Sequence, residues 1–242
     1  MIQPSAVSGF GADAERYDRA RPGYPDEVVD RIAAIANGRV LDLAAGTGKL
    51  TEPLMERGLL VFAVEPVPAM REVLQRRTGL GTVVGGVAES LPFGADTFSL
   101  VTVAQAFHWF DASSVWAELA RVVVPGGHAA IVWNARIRHT VWQTKLWDLL
   151  DTLEEAAPYR ATRWVDPVLP WRRIEVFERI HDIPVTVDLL KERIASVSVV
   201  ATLDPDDRRS IDRAVEEIVA DEDTPLALRY EARLFLYRFD PA

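Results

Sequence analysis

The stretch Val40-Leu41-Asp42-Leu43-Ala44-Ala45-Gly46-Thr47-Gly48-Lys49-Leu50 constrains this chain more than any other. Val40 to Leu43 reads as a short apolar strand, two glycines permit a sharp turn, and Leu50, Leu54 and Met55 recur at the spacing of one helical face. A strand, a tight loop and a helix start in that order belong to a parallel sheet. Small ligands bind at such strand ends, because glycines let backbone N–H groups and a helix start approach a polar group closely.

The rest of the chain repeats the alternation. Asp26 to Ala36 is helical, with Val28, Val29, Ile32 and Ile35 on one side and Asn37-Gly38 as a stop. Leu59 to Val64 is a second buried strand ending at Glu65-Pro66, Val67 to Arg77 a helix, Thr82 to Gly85 a brief third strand and Phe98 to Ala104 a fourth. Asp111 caps a helix whose Val115, Trp116, Leu119, Val122 and Val123 share a face; Pro125-Gly126-Gly127 breaks it, and His128 to Asn134 is a fifth strand. Strands alternating with helices predict right-handed crossovers and a mostly parallel, doubly wound α/β sheet with helices on both faces.

Beyond strand five the pattern is looser. Val141 to Ala157 is helical, Val176 to Val187 extended, and Asp204-Pro205 opens a helix continued by Ile211, Val215, Ile218 and Val219. Arg229 to Phe239 alternates like an edge strand completing the same sheet. With 242 residues and no internal repeat, a single domain is expected over 1–242, led by a segment over 1–25 in which Tyr17 and Tyr24 are aromatic anchors.

Charge narrows the partners. A net charge of −9 repels phosphate backbones, so nucleic acid is not an expected partner, and Arg71, Arg76 and Arg77 read as a solvated helix face. The absence of cysteine removes thiol chemistry and Cys-ligated zinc; His128, His139 and His181 have no ligand-like spacing, so no metal is expected. No apolar run reaches the roughly 20 residues of a membrane span, and Met1 to Phe10 lacks the pattern of a signal peptide, which points to the cytoplasm.

The glycine loop can be matched against known phosphate binders. A dinucleotide fingerprint requires a third glycine where Thr51 stands, which weakens an NAD-dependent oxidoreductase as the alternative. A nucleotide-hydrolysing P-loop requires a glycine five residues before Gly48 and Ser or Thr after Lys49, and has neither. What remains is the loop together with Glu65, nineteen positions after Gly46. A carboxylate there can accept from both ribose hydroxyls of an adenosine that lacks a diphosphate.

These residues resemble the class I S-adenosylmethionine-dependent methyltransferases over most of the chain. The loop looks like that family's methionine-binding motif, Glu65 like its ribose carboxylate, and Pro66 stands where a side chain lies against the adenine. Gly86-Val87-Ala88-Glu89-Ser90-Leu91-Pro92-Phe93 is similar to the segment after the family's third strand. Arg21-Pro22-Gly23-Tyr24-Pro25 and Gln105-Ala106-Phe107-His108-Trp109-Phe110-Asp111 look like its small-molecule branch, which includes trans-aconitate methyltransferase-like proteins. Val87 departs from the Asp or Thr that many relatives carry, leaving adenine to the Ala88 backbone, apolar packing and Glu89.

The resemblance implies a seven-stranded sheet, S-adenosylmethionine as cofactor, and methyl transfer to a small organic carboxylate, hydroxyl or amine by a monomer or homodimer. A non-catalytic protein that kept the cofactor site is the other outcome. The cofactor set is Tyr17, Asp42, Ala44, Gly46, Thr47, Gly48, Glu65, Pro66, Ala88, Glu89 and Gln105, although Asp42 also suits tying down the neighbouring loop. His108 is the candidate catalytic base, or else orients a loop or the substrate; Tyr24 and Trp109 are candidate substrate contacts, or packing. An insertion over about 136–172 would shape the acceptor pocket, and its Trp142, Trp147, Trp164 and Trp171 line that pocket or join the insertion to the sheet.

Overall fold

The computed structural model describes residues 14–156, 166–167 and 170–241. In chain order its elements are α1 (Ala14–Ala20), α2 (Asp26–Ile35), β1 (Arg39–Leu43), α3 (Thr51–Glu56), β2 (Leu60–Val64), α4 (Pro68–Thr78), β3 (Val83–Val84) and β4 (Phe98–Ala104). A single 3-10 turn over Phe107–Trp109 leads to α5 (Ala112–Val122), β5 (Val123–Arg136) and α6 (Val141–Ala156). The chain then forms β6 (Trp171–Val185), α7 (Val187–Ala195), α8 (Ser198–Ala201), α9 (Pro205–Val219) and β7 (Leu226–Phe239).

The strands form one sheet in the order β3-β2-β1-β4-β5-β7-β6. β1 lies parallel between β2 and β4, β5 continues parallel to β4, and β7 runs antiparallel to both β5 and β6. The alternation of side chains along β1 explains the layers. Leu41 and Leu43 bury one way, in a cluster with Val115, Leu119 and Val122 of α5, while Val40 buries the other way with Val28, Val29 and Ile32 of α2. Each such fully buried aliphatic contributes about 1.5–3 kcal/mol relative to exposure, which fixes helices on both faces. Among the described residues no helix is long and apolar enough to cross a membrane.

Three expectations are corrected here. The last strand is not an edge: β7 sits between β5 and β6, with Leu228, Leu234 and Leu236 buried on one face and Tyr237 and Phe239 on the other. The edge is β6, whose Arg172, Arg173, Glu178 and Arg179 are exposed, as suits a strand with one open side. The extended stretch expected from Val176 to Val187 is longer at its start and ends at Val185; α7 begins at Val187, its N-cap Thr186 accepting from the Leu189 amide at 3.1 Å. The Pro125-Gly126-Gly127 break is absorbed as an irregularity within β5, since Val123 already pairs with Phe98.

Three of the four tryptophans of the 136–172 region are core. Trp142 and Trp147 are buried among Leu190, Val215 and Tyr230, and Trp171 packs on Trp116 at 5.4 Å between ring centroids. Trp147 Nε1 donates to the Ile137 carbonyl at 2.9 Å and Trp171 Nε1 to the Trp116 carbonyl at 3.2 Å, so both indoles are satisfied internally. Trp164 lies outside the described residues.

Candidate active site

The chain winds from β1 to β2 and β3 in one direction and then returns to place β4 on the other side of β1. A crevice opens where the winding reverses, at the carboxyl ends of β1 and β4, the position at which open α/β sheets take ligands. Ala44, Gly46 and Thr47 enter this pocket from the loop after β1, and Gln105 from the end of β4. Ala44 and Gln105 both have positive φ, 54° and 58°, uncommon for residues with a Cβ and concentrated here around one cavity. Gly46 adopts φ 57°, with nothing within 4 Å of an added Cβ.

Gly48 behaves differently. At φ 93°, its added Cβ would meet Leu74 Cδ1 at 2.6 Å, so this glycine lets the loop close onto α4, and it does not line the pocket. Thr47 does line it, and its buried hydroxyl has no hydrogen-bond partner among the described residues. An orphaned hydroxyl beside a positive-φ loop fits a polar ligand.

Asp42 and Glu65 hold this loop from two sides. Asp42, 1% exposed, accepts from Thr51 Oγ1 at 2.6 Å and from Thr102 Oγ1 at 2.8 Å, bracing β1 against α3 and β4 while still reaching the pocket. Burial pushes its carboxyl up to about 6 against the two hydroxyl hydrogen bonds. Glu65 Oε2 accepts from the Gly46 amide at 2.9 Å and Oε1 from the Val67 amide at 2.8 Å. Burial raises it to about 7, opposed by those amides and by Arg71. Each oxygen keeps a further lone pair for a hydroxyl donor.

The remaining expected residues divide. Tyr17 and Tyr24 line the pocket, and burial raises the Tyr24 phenol above its ordinary range. Glu65, Pro66, Ala88 and Glu89 lie outside its lining: Glu65 is buried behind the Gly46 amide, Pro66 is half-buried, Ala88 is core, and Glu89 Oε1 accepts from the Asp111 amide at 3.2 Å. His108 and Trp109 also stand off the pocket, the His108 ring 4.8 Å from Trp109 and 5.1 Å from Trp133. Burial and the Arg21 charge lower His108 to about 4, so it is neutral at physiological pH. Among the described residues no cluster of three or more acidic or histidine side chains could hold a metal.

Arg21, Lys49, Asn134 and Arg193 line the pocket without having been singled out from the sequence. Arg21 had a signal, since it opens the Arg-Pro-Gly-Tyr-Pro motif. Asn134, two residues before the end of β5, fastens the leading segment by donating to the Gly23 carbonyl at 3.0 Å. Arg193 comes from α7, some 145 residues beyond the loop, and only folding brings it there.

A family profile for a methyltransferase domain matches residues 41–131. An uncharacterized methyltransferase of Mycobacterium tuberculosis (strain ATCC 25618 / H37Rv) is 43% identical over 141 residues, which is 58% of this chain and 58% of the relative. An uncharacterized methyltransferase-like protein of Schizosaccharomyces pombe is 30% identical over 172 residues, covering 69% of this chain and 67% of that one. The chain belongs to the class I S-adenosylmethionine-dependent methyltransferases. The fold agrees: a solved chain from Anaeromyxobacter dehalogenans, assigned to the type II methyltransferases, superposes with a TM-score of 0.69 at 24% identity over 92% of this chain and 99% of its own. The alignment spans a little over half the length of the mycobacterial relative. The methyltransferase profile takes in Asp42, the glycine loop, Glu65 and His108; it stops before Asn134 and Arg193, so part of the pocket wall comes from outside it.

Proposed function

We propose that this methyltransferase carries a methyl group from S-adenosylmethionine to a small organic acceptor bearing a carboxylate, hydroxyl or amine. The observation that carries this reading is the pocket at the β1/β4 switch point, where the Gly46-Thr47 loop, Gln105 and the two tyrosines of the leading segment face one another. Tyr17, Ala44, Gly46, Thr47 and Gln105 would hold the methionine end, Asp42 the loop's position, and Gly48 the loop's close seat on α4. Glu65 would take the ribose hydroxyls, with Pro66, Ala88 and Glu89 around the adenine.

S-adenosylmethionine, when bound, would supply an electrophilic sulfonium methyl for a lone pair of the acceptor, with the electron pair of the broken carbon–sulfur bond left on sulfur. The chain's own task is placement, and alignment of two bound partners at about 3 Å supplies several kcal/mol of a barrier. Tyr24 and Trp109 are assigned to the acceptor side. His108, neutral at physiological pH, takes the proton of a hydroxyl or amine acceptor; a carboxylate needs no base. Its packing between Trp109 and Trp133 favours the other role open to it, orienting the turn. The segment over 1–25, of which residues 1–13 lie outside the described residues, is assigned the part of a lid in this reading, through Tyr17 and Tyr24. The net charge of −9 supports small-molecule rather than nucleic-acid acceptors, and the protein works in the cytoplasm as a monomer or homodimer.

The test is a thermal shift with S-adenosylhomocysteine, followed by an acceptor screen with radiolabelled methyl donor. The expected result is a raised melting temperature that Glu65→Ala largely abolishes. No shift at millimolar ligand overturns the reading; binding with no transfer to any acceptor leaves a non-catalytic cofactor protein.

A further inference from the structure

Two guanidiniums in this pocket have no ion-pair partner among the described residues. Arg193 is 8% exposed; its Nε donates to the Tyr230 hydroxyl at 3.1 Å, while its Nη1 is buried with no partner among the described residues. Arg21 donates through Nη2 to the Ser196 carbonyl at 2.8 Å, and its Nε is likewise buried and unpartnered. Both side chains line the same pocket, and each lies over a phenol ring, Arg21 over Tyr17 at 5.0 Å and Arg193 over Tyr230 at 5.2 Å. The rings attract the charge without occupying these N–H donors.

Neighbouring cations are arranged otherwise. Lys49 meets Asp18 at 3.4 Å, and Arg136 is bridged to Asp151 at 3.3 Å and Glu154 at 2.6 Å. Arg21 is instead buried within range of two other cations, Arg193 and Arg136, and beside the neutral phenols of Tyr17 and Tyr230. A buried cation near another cation is unfavourable until an anion joins them, and leaving its donors open adds to the cost.

Resting on the methyltransferase reading, the geometry points to an anion subsite made by Arg21 and Arg193 that takes a carboxylate of the molecule bound in this pocket. One open donor on each arginine matches the two oxygens of a single carboxylate, and guanidinium planarity favours that group. The carboxylate belongs either to the amino-acid end of the donor or to the acceptor. Arg21 and Arg193 both lie outside the residues of the methyltransferase profile, one before it and one beyond it on α7.

Calorimetric titration of the full chain separates the outcomes. The probes are S-adenosylhomocysteine, 5′-methylthioadenosine, which keeps the adenosine thioether and lacks the amino-acid carboxylate, and benzoate, succinate and citrate against their amides. If the donor's carboxylate is held, Arg193→Gln weakens S-adenosylhomocysteine by about tenfold or more, the loss of one charged hydrogen bond, and leaves 5′-methylthioadenosine within about twofold. If the acceptor's is held, both nucleosides stay within about twofold, and the wild type's preference for carboxylates over amides disappears in the variant. Arg193→Lys retains part of either effect, and Arg21→Gln repeats it from the other side of the pair should Arg193→Gln fail to fold. Unchanged nucleoside affinities with no carboxylate preference in wild type or variants overturn the subsite alone. A wild type that binds neither nucleoside overturns the methyltransferase reading and this one with it.

Discussion

The Gly46 amide donates to Glu65 Oε2 at 2.9 Å, so the loop after β1 is fastened to the end of β2 by a carboxylate whose other oxygen accepts the Val67 amide. The two residues expected to meet different parts of one cofactor are thereby mechanically joined. A change at either is felt at both.

Glu65 makes the first prediction, through pH. Its pKa is raised by burial from 4.5 to about 7, so the folded state favours the neutral carboxyl. Its contribution to stability is full below about pH 4.5 and is lost as pH rises through 7. Glu65→Gln cannot titrate and loses an acceptor, at a cost of about 1–3 kcal/mol. In urea unfolding, the advantage of wild type over Glu65→Gln should narrow between pH 4.5 and 7.5. An advantage constant over that range would show that the carboxyl titrates normally.

His108 predicts the opposite slope. Its pKa is lowered from 6.5 to about 4, so its contribution is full above pH 6.5 and is lost as pH falls through 4. His108→Gln should flatten the acid side of the wild-type stability curve. If His108 only orients its turn, the variant keeps methyl transfer to hydroxyl and amine acceptors within about tenfold; a larger fall in kcat confined to those acceptors, with transfer to a carboxylate kept, marks it as a proton acceptor.

The two loop glycines should separate stability from binding. Gly48→Ala forces a Cβ to within 2.6 Å of Leu74 Cδ1 at a φ of 93°, and the overpacking and strain should cost about 1–3 kcal/mol, read as a lower melting temperature. Gly46→Ala places its Cβ in open space, so the backbone cost is about 1 kcal/mol and the main loss should be in S-adenosylhomocysteine affinity. Equal effects of the two on binding would reject the division.

Trp147 tests the core assignment of the tryptophan-rich region. It is 1% exposed, packs 5.8 Å from Tyr230 between ring centroids and does not line the pocket. Trp147→Ala should destabilise by about 3–5 kcal/mol. The milder Trp147→Phe should lower the melting temperature while leaving cofactor and acceptor affinities unchanged; a change in acceptor KM alone would assign it to the pocket.

Structure made by sequence neighbours is legible along the chain. Val40 to Leu43, the paired glycines and Glu65 are close in sequence and meet through one β-α-β unit, so their types and spacing foretell both the crossover and a seat for an adenosine derivative. Residues 188–203 carried a usable signal too, with Thr186 as N-cap and Leu190 and Ile194 four apart, yet the apolar run before them read as one long extended segment. The alternation of Arg229 to Phe239 was recognised as strand, but pattern alone does not tell an edge from a strand covered on both faces and paired on both sides.

The sequence by itself therefore determined the α/β class and a loop suited to an adenosine derivative, because local spacing dictates which backbone groups and side chains a tight turn presents, and its resemblance to a known family implied the cofactor. Only the tertiary structure decided that Gly48 packs against Leu74 while Gly46 faces the cavity, that Trp142, Trp147 and Trp171 are core, and that Arg21 and Arg193 share a pocket. Those facts depend on contacts between segments far apart in the chain. Burial and charge pairing there are set by what the fold brings alongside, which no local pattern records.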